Sequence, residues 1–599
     1  MRLPKLSGAS ASRSTVDVFG GYDHNLRIAD GSWYDMENMS SDLYPVMSPR
    51  TPRGIVKKNC KILGMVSNNG LCYVEGSNFI RPNGTVVEMG LNNTTEKNLV
   101  SMGAFVVIMP DKKWINVTTG KYGDIEASFY AENAGYIIRQ CWPDGSLFEN
   151  VKQSETAPGE PANGDLWLDL SGDEPSLKQW SSSSKTWISI ITNHVQIWAP
   201  GIEINFEKGD SFIGTFGGTS VGNKAALQTL GEIKNEKEGY CEFHCTLTIV
   251  DKGDNYIVVR GTLGALSTGG TGMIKLHRKM PDMDFVIESG NRLWGCKYGD
   301  TDNGFVNEIY ASKLGDFKNW NCFMGISTDS WVGAVGSDGQ FTGAITHLGY
   351  PLFFKENVLH KVYISGSGGH GIQDTACRGV QKGCERSLAI VNEVLYYKAR
   401  HAVCAYDGSL PVEISSAMGD EYYGNAVAGA HGNKYYISMQ NTTGQDYNLF
   451  VYDTAKGIWH REDETQVDAF CSCRDEMYFV DHADGSIKTV HGTGEKSADP
   501  VEWMVQTGPL GTGMPDMKYI SRLTVRLSLE EEATADFYIQ YDSIGQWDKL
   551  CTVEGTHLRS YAVPIRPRRC DHFRLRIQGQ GDAKIYSMTK TIEQGSDYS

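Results

Sequence analysis

Short apolar runs that follow polar turns recur along the chain at a nearly constant distance. Seven of them can be aligned: SNNGLCYV (67–74), MGAFVVIM (102–109), SGNRLWGC (289–296), LGYPLFFK (348–355), VNEVLYYK (391–398), HGNKYYIS (431–438) and CRDEMYFV (473–480). Leu352, Leu395, Tyr435 and Met477 are equivalent in this alignment and lie 43, 40 and 42 residues apart. Because a four-stranded propeller blade has this spacing, the pattern predicts an all-β chain with a β-propeller of about seven blades, six and eight being the alternatives.

Each of the later runs is followed by a second apolar stretch with its own polar turn. The three stretches are AVCAYDGSLPVEIS, LFVYDTAKGIWHRED and MYFVDHADGSIKTV. Alternating apolar and polar residues around Asp-Gly or Lys-Gly turns are typical of hairpins, because glycine accepts the positive φ of a tight turn. Each repeat is therefore predicted to be an antiparallel meander that buries its faces against its neighbours.

The repeat is interrupted between residues 123 and 280. This part contains a Pro/Gly-rich segment, SETAPGEPANGDLWLDLSG, and two groups of short alternating stretches. We interpret it as an inserted β module, in two small parts, within one propeller formed by residues 55–122 and 281–499. Glycine clusters such as GALSTGGTG and GPLGTG lack phosphate-binding signatures and are predicted to be loops.

The two ends of the chain differ from the repeat. Residues 500–599 contain longer alternating stretches without the blade spacing, which predicts a C-terminal antiparallel β-sandwich. Residues 1–54 have no period, and Pro45, Pro49 and Pro52 favour an extended arm. The arm carries Trp33, Tyr34, Leu43, Tyr44 and Met47, together with Arg50, and we consider two sites for it: its own domain or a neighbouring subunit.

Composition and charge argue against several classes of function. The 599 residues carry a net charge of −16, which argues against a surface that neutralises nucleic-acid phosphates. No stretch approaches 18 uninterrupted apolar residues, and the first residues lack the apolar run of a signal peptide, so we expect no membrane anchor and no secretion. The 14 cysteines follow no repeated spacing and are expected to be free thiols.

Motifs for catalysis or metal binding are weak throughout. Cys241, His244 and Cys245 could supply three zinc ligands, but they lie on one predicted strand without a second pair nearby. Cys471 and Cys473 are expected to pack on one buried strand face. Asp300, Asp302 and Asn303 resemble a calcium loop that lacks its distal glutamate, so a solvated turn is expected. We predict no catalytic residue, no metal and no cofactor.

Two groups of residues remain as binding candidates. The basic cluster Arg566, Arg568 and Arg569 fits a protein interface or internal ion pairs better than nucleic acid. Trp167, Trp180 and Trp187 of the insertion could stack on sugars, or could form the core of a small domain.

Several phrases together resemble one protein family. They are GGYDHNLRIADGSWYDMENMSSDLYPVMSPR at the N-terminus, NRLWGCKYG, NEIYASKLGDFKNW, STDSW, YYISM and LFVYD in the repeats, and QYDSIGQWDKL and RPRRCDHFRLRI near the C-terminus. The chain resembles bacteriophage virion structural proteins of the propeller-type tail or packaged-DNA-stabilisation family. The resemblance spans nearly the whole chain and is weakest across the insertion.

The resemblance implies a function without turnover. Such proteins resemble the nozzle or hub rings of the head-to-tail channel, so we expect a homo-oligomeric ring in the virion tail, assembled in the host cytoplasm. Its partners would be other tail or connector proteins and passing DNA, without specific DNA binding. In that setting the arm and the arginine cluster become candidate assembly contacts, with the arm needed for assembly more than for folding. The alternatives are a carbohydrate-binding surface propeller and, less well supported, a propeller glycoside hydrolase.

Overall fold

The computed structural model describes residues 11–172, 175–302, 304–364, 369–496 and 500–595. Nearly all regular structure in these ranges is β-strand. The exceptions are one short α-helix, Lys224–Leu227, and two 3-10 helices, Glu385–Ser387 and Ser416–Met418. The all-β prediction is confirmed.

The chain forms two compact units. One contains the residues up to 101, 337–362 and those from 373 onwards, and the other contains residues 102–336 and 363–372. The inserted module belongs to the second unit, whereas both ends of the chain belong to the first.

Seven antiparallel sheets of consecutive strands, here called blades 1 to 7, form the β-propeller. In blades 1 to 3 the strands follow chain order across each sheet. Their bounds are Ile62–Ser67, Leu71–Glu75, Asn78–Ile80 and Val86–Glu88 in blade 1; Asn98–Met102, Phe105–Met109, Lys113–Asn116 and Tyr122–Asp124 in blade 2; and Phe285–Ser289, Arg292–Thr301, Gly304–Ala311 and Trp331–Ala334 in blade 3.

Blades 4 to 6 have the same meander order. Their bounds are Gly343–His347, Tyr350–Lys355, Val358–Ile364 and His370–Ala376 in blade 4; Ala389–Val391, Val394–Lys398, Val403–Tyr406 and Val412–Glu413 in blade 5; and Tyr423–His431, Lys434–Asn441, Tyr447–Asp453 and Ile458–Arg461 in blade 6. Each of the seven apolar runs found in the sequence lies on the second strand of a blade. The aligned residues Leu352, Leu395, Tyr435 and Met477 are all buried, as a core position requires.

Blade 7 combines both ends of the propeller sequence. Its first three strands are Val467–Cys473, Glu476–Asp481 and Ile487–Thr489, and its fourth is Gly54–Lys57. Residues Lys488 and Ile55 are paired in the antiparallel register, and the short strand Glu495–Lys496 also pairs with this N-terminal strand. Blade 7 also lies against the first strand of blade 1. Residues next to the arm therefore close the last blade.

The insertion is built from a closed sheet and a small open one. Six strands close on themselves by hydrogen bonding, in the order Ser211–Ser220, Ser267–Arg278, Ala127–Gln140, His194–Trp198, Tyr256–Arg260 and Tyr240–Gly253, and Glu232–Lys237 pairs on the last of these. The small sheet contains Lys152–Ser154, Leu166–Asp169, Ser176–Ser181 and Thr186–Ser189. The interior of the closed sheet is filled by apolar side chains, among them Phe212, Phe216 and Phe243.

The C-terminal domain is an antiparallel sandwich organised around one long strand, Lys518–Tyr541. The first half of this strand pairs with Ala583–Gln594 and the second half with Phe573–Gln580, while Asp548–Val563 pairs along its other side. Glu502–Gln506 extends the sheet beyond Phe573–Gln580. Alternate residues of the long strand, such as Leu523, Val525 and Phe537, are buried.

The N-terminal arm completes this C-terminal sheet. Its strand Ala11–Val16 pairs with Ala583–Gln594, and its strand Asp35–Glu37 pairs with Glu502–Gln506. The remaining short strands of the arm pair with each other: Gly21–Tyr22 with Ser32–Trp33, and Met39–Ser40 with Ser48–Pro49. Backbone hydrogen bonds thus fix the arm at both edges of the domain formed by the other end of the chain.

Candidate functional site

The N-terminal arm lies between blade 6 and the C-terminal domain, and its apolar side chains belong to their shared core. Trp33 is only 1% exposed and stacks on Phe19, with 5.8 Å between the ring centroids. Met47 pairs with Ile585 of the C-terminal domain through a backbone bridge. Lys590, also in the C-terminal domain, has its Nζ 2.5 Å from both carboxylate oxygens of Asp30 in the arm. Apolar contacts, backbone hydrogen bonds and an ion pair therefore all hold the arm in place.

A cluster of four charged side chains holds the end of the arm on blade 6. Arg53 donates to Glu462 Oε2 at 2.7 Å, lies 2.9 Å from Asp463 Oδ2 and also donates to Thr465 Oγ1. Arg50 lies 3.6 Å from Glu462 and 3.5 Å from Asp463. Two guanidinium groups thus face two carboxylates in a largely buried position, which balances the charges that burial would otherwise penalise.

Burial and charge act in opposite directions on this cluster. Burial alone would raise the pKa of Asp463, but the Arg53 guanidinium, the Thr465 hydrogen bonds and Arg50 hold it at about 2. Burial would lower the pKa of Arg53, yet Asp463 and Glu462 raise it above its ordinary value. These two shifts favour the charged forms of Asp463 and Arg53. The pKa of Arg50 is lowered instead, by burial and then by the neighbouring Arg53 guanidinium.

The arm residues proposed as assembly contacts have different environments. Trp33 and Met47 are buried within the chain, so the apolar surface that we assigned to a partner is already covered. Tyr34 stacks on His24 at 4.2 Å and Arg574 lies over its ring, while Lys456 lies over the ring of Tyr44. Only Leu43, 43% exposed, retains substantial free apolar surface. Of the two sites considered for the arm, its own chain is the one observed.

The basic cluster lies on the connection between Asp548–Val563 and Phe573–Gln580. Arg566, Arg568 and Arg569 are all exposed, and the Arg568 guanidinium lies 5.3 Å from the ring centroid of Tyr541. Exposed guanidinium groups on one short connection can contact acidic groups of another molecule, and Arg566 is the clearest candidate.

The three tryptophans of the insertion share one face of the small sheet. Trp180 and Trp187 are cross-strand partners, and Trp187 packs edge-to-face on both Trp167 and Trp180 at 5.4 and 5.5 Å. Trp167 is buried, and its indole N–H donates to the backbone oxygen of Ser154 at 3.0 Å. Trp167 is therefore part of a small core, while Trp180 and Trp187 keep partly exposed edges.

The cysteine motifs form no ligand set. Cys241 and Cys245 point into the closed sheet, whereas His244 points to its outer side and contacts Glu242 at 2.9 Å. Residues on opposite faces of one strand cannot bind the same ion. Within the described ranges no group of three His, Cys, Asp or Glu side chains is placed to hold a metal. Cys471 and Cys473 are both buried on one strand face.

Two segments are predicted from sequence to be turns or loops, the one around Asp300 and the segment GALSTGGTG, and the structure gives a different result for each. Asp300 and Asp302 lie at the tip of the hairpin between the second and third strands of blade 3, and Asn303 falls outside the described residues. The prediction that GALSTGGTG is a loop is wrong for its second half, because Ser267–Arg278 is a strand of the closed sheet. Its glycines are needed there for close approach: a Cβ at Gly272 would collide with the carbonyl oxygen of Gly217.

The sequence did not reveal Arg53 as part of a site. Glu462 and Asp463 are visible as an acidic pair after a predicted strand, and Arg50 and Arg53 as a basic pair after the arm. Their partnership depends on the arm docking against blade 6, and no local pattern carries that information.

Comparison with known proteins does not identify a family for this chain. No family model matches the chain, and no curated protein matches it. Among solved structures, the β-propeller domain of the Trilobed protease from Pyrococcus furiosus is 10% identical, with a TM-score of 0.25 over 74% of this chain and 97% of that one. An exo-beta-1,3-galactanase from Phanerochaete chrysosporium is 9% identical, with a TM-score of 0.17 over 51% and 94%. TM-scores this low transfer neither activity nor substrate.

Proposed function

We propose that this chain is a non-enzymatic structural component of a bacteriophage virion, a tail or head-to-tail ring protein that extends or seals the DNA channel. The family resemblance of its N-terminal, repeat and C-terminal phrases is the starting point. The observation that carries the proposal is one continuous apolar core. This core joins the arm, blades 4 to 6 and the C-terminal domain.

A continuous core suits a part that must keep its shape under mechanical load. Tyr22, Trp33 and Met47 of the arm belong to the same cluster as Tyr435 and Phe450 of blade 6 and as residues of the C-terminal sheet. The N-terminal phrase, YYISM, LFVYD and the two C-terminal phrases contribute many of these side chains, whereas the three phrases of blade 3 contribute none. The five contributing phrases therefore coincide with contacts that bind the two ends of the chain together.

The expected partners follow from charge and exposure. Copies of this chain would associate in a ring, with Leu43 and the exposed arginines 566, 568 and 569 as candidate contacts to a neighbour or to other tail and connector proteins. The net charge of −16 disfavours tight adhesion of passing DNA. No helix in the described part of the chain is long and apolar enough to cross a membrane.

The oligomeric state of the purified chain tests the ring. We expect negative-stain images of closed rings with a central opening, and a sedimentation coefficient of several copies rather than one. Substituting Arg566 by Ser is expected to weaken the rings without changing thermal unfolding. A chain that stays monomeric at every concentration would contradict the proposal, provided that it also stays monomeric when mixed with purified phage particles.

A carbohydrate-binding role is the second candidate. It is favoured by the partly exposed Trp187 on the outer strand of the small sheet, beside the exposed Ile188. Retention of the chain on immobilised polysaccharide, lost in Trp187→Ala, would support this role. A glycoside hydrolase role would require release of reducing sugar from the same polysaccharide.

A further inference from the structure

A small cavity lies between the N-terminal arm and blade 6. It is bordered by Phe19, Trp33, Met36 and Met47 of the arm, among others, and by His460 of blade 6. Its volume is about 10 Å³, which is close to the smallest volume that holds one water molecule. The size of the cavity therefore limits its occupant to something as small as a single water.

Two polar atoms of the residues that border this cavity have no hydrogen-bond partner among the described residues. They are Trp33 Nε1 and His460 Nδ1, and both are shielded from solvent. Trp33 is only 1% exposed and His460 only 7%. Buried polar groups of native proteins are bonded to other protein groups or to ordered water, because a buried group without a partner loses its hydration for nothing in return. Two such atoms at one cavity indicate a common partner inside it.

The two atoms differ in what they require of that partner. An indole Nε1–H can only donate, so the occupant must accept a hydrogen bond from Trp33. Burial, and then the nearby Lys434, lower the pKa of His460 to about 4, so its imidazole is neutral at pH 7 and its Nδ1 accepts or donates according to the tautomer. A metal cation cannot accept from an indole, and an anion would lie among apolar side chains at a large desolvation cost. Water both accepts and donates, so it satisfies either tautomer.

Two serines of the arm also border the cavity, but their hydroxyl protons are already used. Ser41 Oγ donates to Asp453 Oδ2 at 2.6 Å, and Ser40 Oγ donates to Asp42 Oδ2 at 2.7 Å. Neither hydroxyl can therefore donate to His460 as well. A hydroxyl oxygen that donates once can still accept, so Ser41 offers a third contact to a water molecule in the cavity.

We propose that one ordered water molecule occupies this cavity and bridges Trp33 Nε1 to His460 Nδ1. The water accepts a hydrogen bond from the indole and makes the second bond with the imidazole, so that the arm and blade 6 are joined through it. Such bridging waters are nearly as favourable as direct hydrogen bonds. This hydration site does not depend on the virion role proposed above.

A crystal structure of the full chain, at a resolution that shows ordered water, tests the proposal without any variant. We expect one density peak within about 2.7–3.2 Å of both Trp33 Nε1 and His460 Nδ1. The proposal is overturned if no peak lies at this place, or if the two side chains bond to each other or to other protein groups instead.

Nuclear magnetic resonance tests the same site in solution. In the chain labelled with ¹⁵N at tryptophan, we expect a cross-peak between bound water and the Trp33 indole N–H, a resonance that Trp33→Phe identifies by its loss. Trp503 is the matched control, because it is 2% exposed and its indole N–H donates to the backbone oxygen of Gly581 at 3.1 Å. We expect no water cross-peak at Trp503. Absence of the cross-peak at Trp33, or equal cross-peaks at both indoles, would overturn the proposal.

Two variants of His460 test the second end of the bridge. His460→Leu removes the polar partner, and we expect the water cross-peak at Trp33 to be lost, whereas His460→Gln keeps a polar group and is expected to retain it. Unchanged thermal unfolding shows that each variant is folded, and the crystal structure of the wild-type chain decides the matter if one is not. Retention of the full cross-peak in folded His460→Leu would show that the water does not bridge to His460.

Discussion

Arg53 secures the end of the N-terminal arm by pairing with Glu462 and Asp463 in a buried position. Substituting Arg53→Ala leaves two buried carboxylates with weaker compensation, and breaking a buried pair in this way costs about 3–5 kcal/mol. We expect urea unfolding to show a loss of that size. Lys58→Ala, which removes an exposed pair with Glu495, is the control and is expected to change stability by less than about 1 kcal/mol. Equal losses of unfolding free energy in the two variants would show that the buried cluster stabilises the chain no more than an exposed ion pair does.

Trp33 and Leu43 separate the folding role of the arm from its predicted assembly role. Trp33→Ala empties a fully buried position, and we expect it to lower the free energy of unfolding by about 3–5 kcal/mol. Leu43→Ala changes an exposed position and is expected to cost less than about 0.5 kcal/mol. If Leu43 contacts a neighbour, its substitution weakens rings at unchanged stability. A negligible loss in Trp33→Ala would contradict the packing of the arm.

His460 gives the stability of this region a dependence on pH. Burial, and then the nearby Lys434, lower the pKa of this blade 6 side chain to about 4, against the opposing effects of Asp453 and Asp42. The unfolded chain takes up this proton near pH 6.5, so between pH 6.5 and 4 the unfolded state binds more protons and stability falls as the pH is lowered. We expect wild type to lose on the order of 2 kcal/mol more than His460→Gln between pH 7 and pH 5. Parallel pH profiles of the two proteins in urea unfolding would rule this out.

At the scale of elements, close contact between strands requires glycine at certain positions of the closed sheet. Gly272→Ala places a Cβ against the backbone of Gly217, and we expect a loss of about 1–3 kcal/mol from overpacking. Gly135→Ala is the control, because a Cβ at Gly135, on a neighbouring strand, meets nothing within 4 Å. Thermal unfolding of both variants measures the difference, and equal melting temperatures would contradict the close approach.

Blades 1 to 6 could be predicted from sequence because each is a local meander. Its turn, its apolar second strand and its spacing all lie within about 40 residues, so Leu395 or Tyr435 could be assigned to the core without knowing the rest of the fold. The strand containing Gly272 could not, because glycine is the usual signal for a loop and its reason here is a contact with Gly217 on another strand.

The candidate site was less predictable than the blades. Trp33 and Tyr34 stack on Phe19 and His24 of the arm itself, and Arg574 from the other end of the chain lies over Tyr34. Arg53 meets Glu462 across 409 positions of sequence, a distance over which no residue pattern reports pairing. Leu43 and the arginines 566, 568 and 569 are the predicted contacts that lie exposed on the folded chain.

At the scale of the whole molecule, both ends of the chain are bound into one core with three blades. Residues before the propeller supply the fourth strand of blade 7, and residues of the arm complete the C-terminal sheet. Removal of the arm should therefore impair folding before any effect on assembly can be seen. A role in a particle is accordingly better examined with the intact chain than with a truncated one.

The most direct test of the proposed virion role is the amount of this chain in purified, DNA-filled phage particles, measured by quantitative mass spectrometry against the capsid and tail proteins. We predict a fixed number of copies per particle, compatible with one or more complete rings and unchanged by repeated purification. The chain's absence from particles, or a variable trace amount that washing removes, would contradict a structural role in the virion.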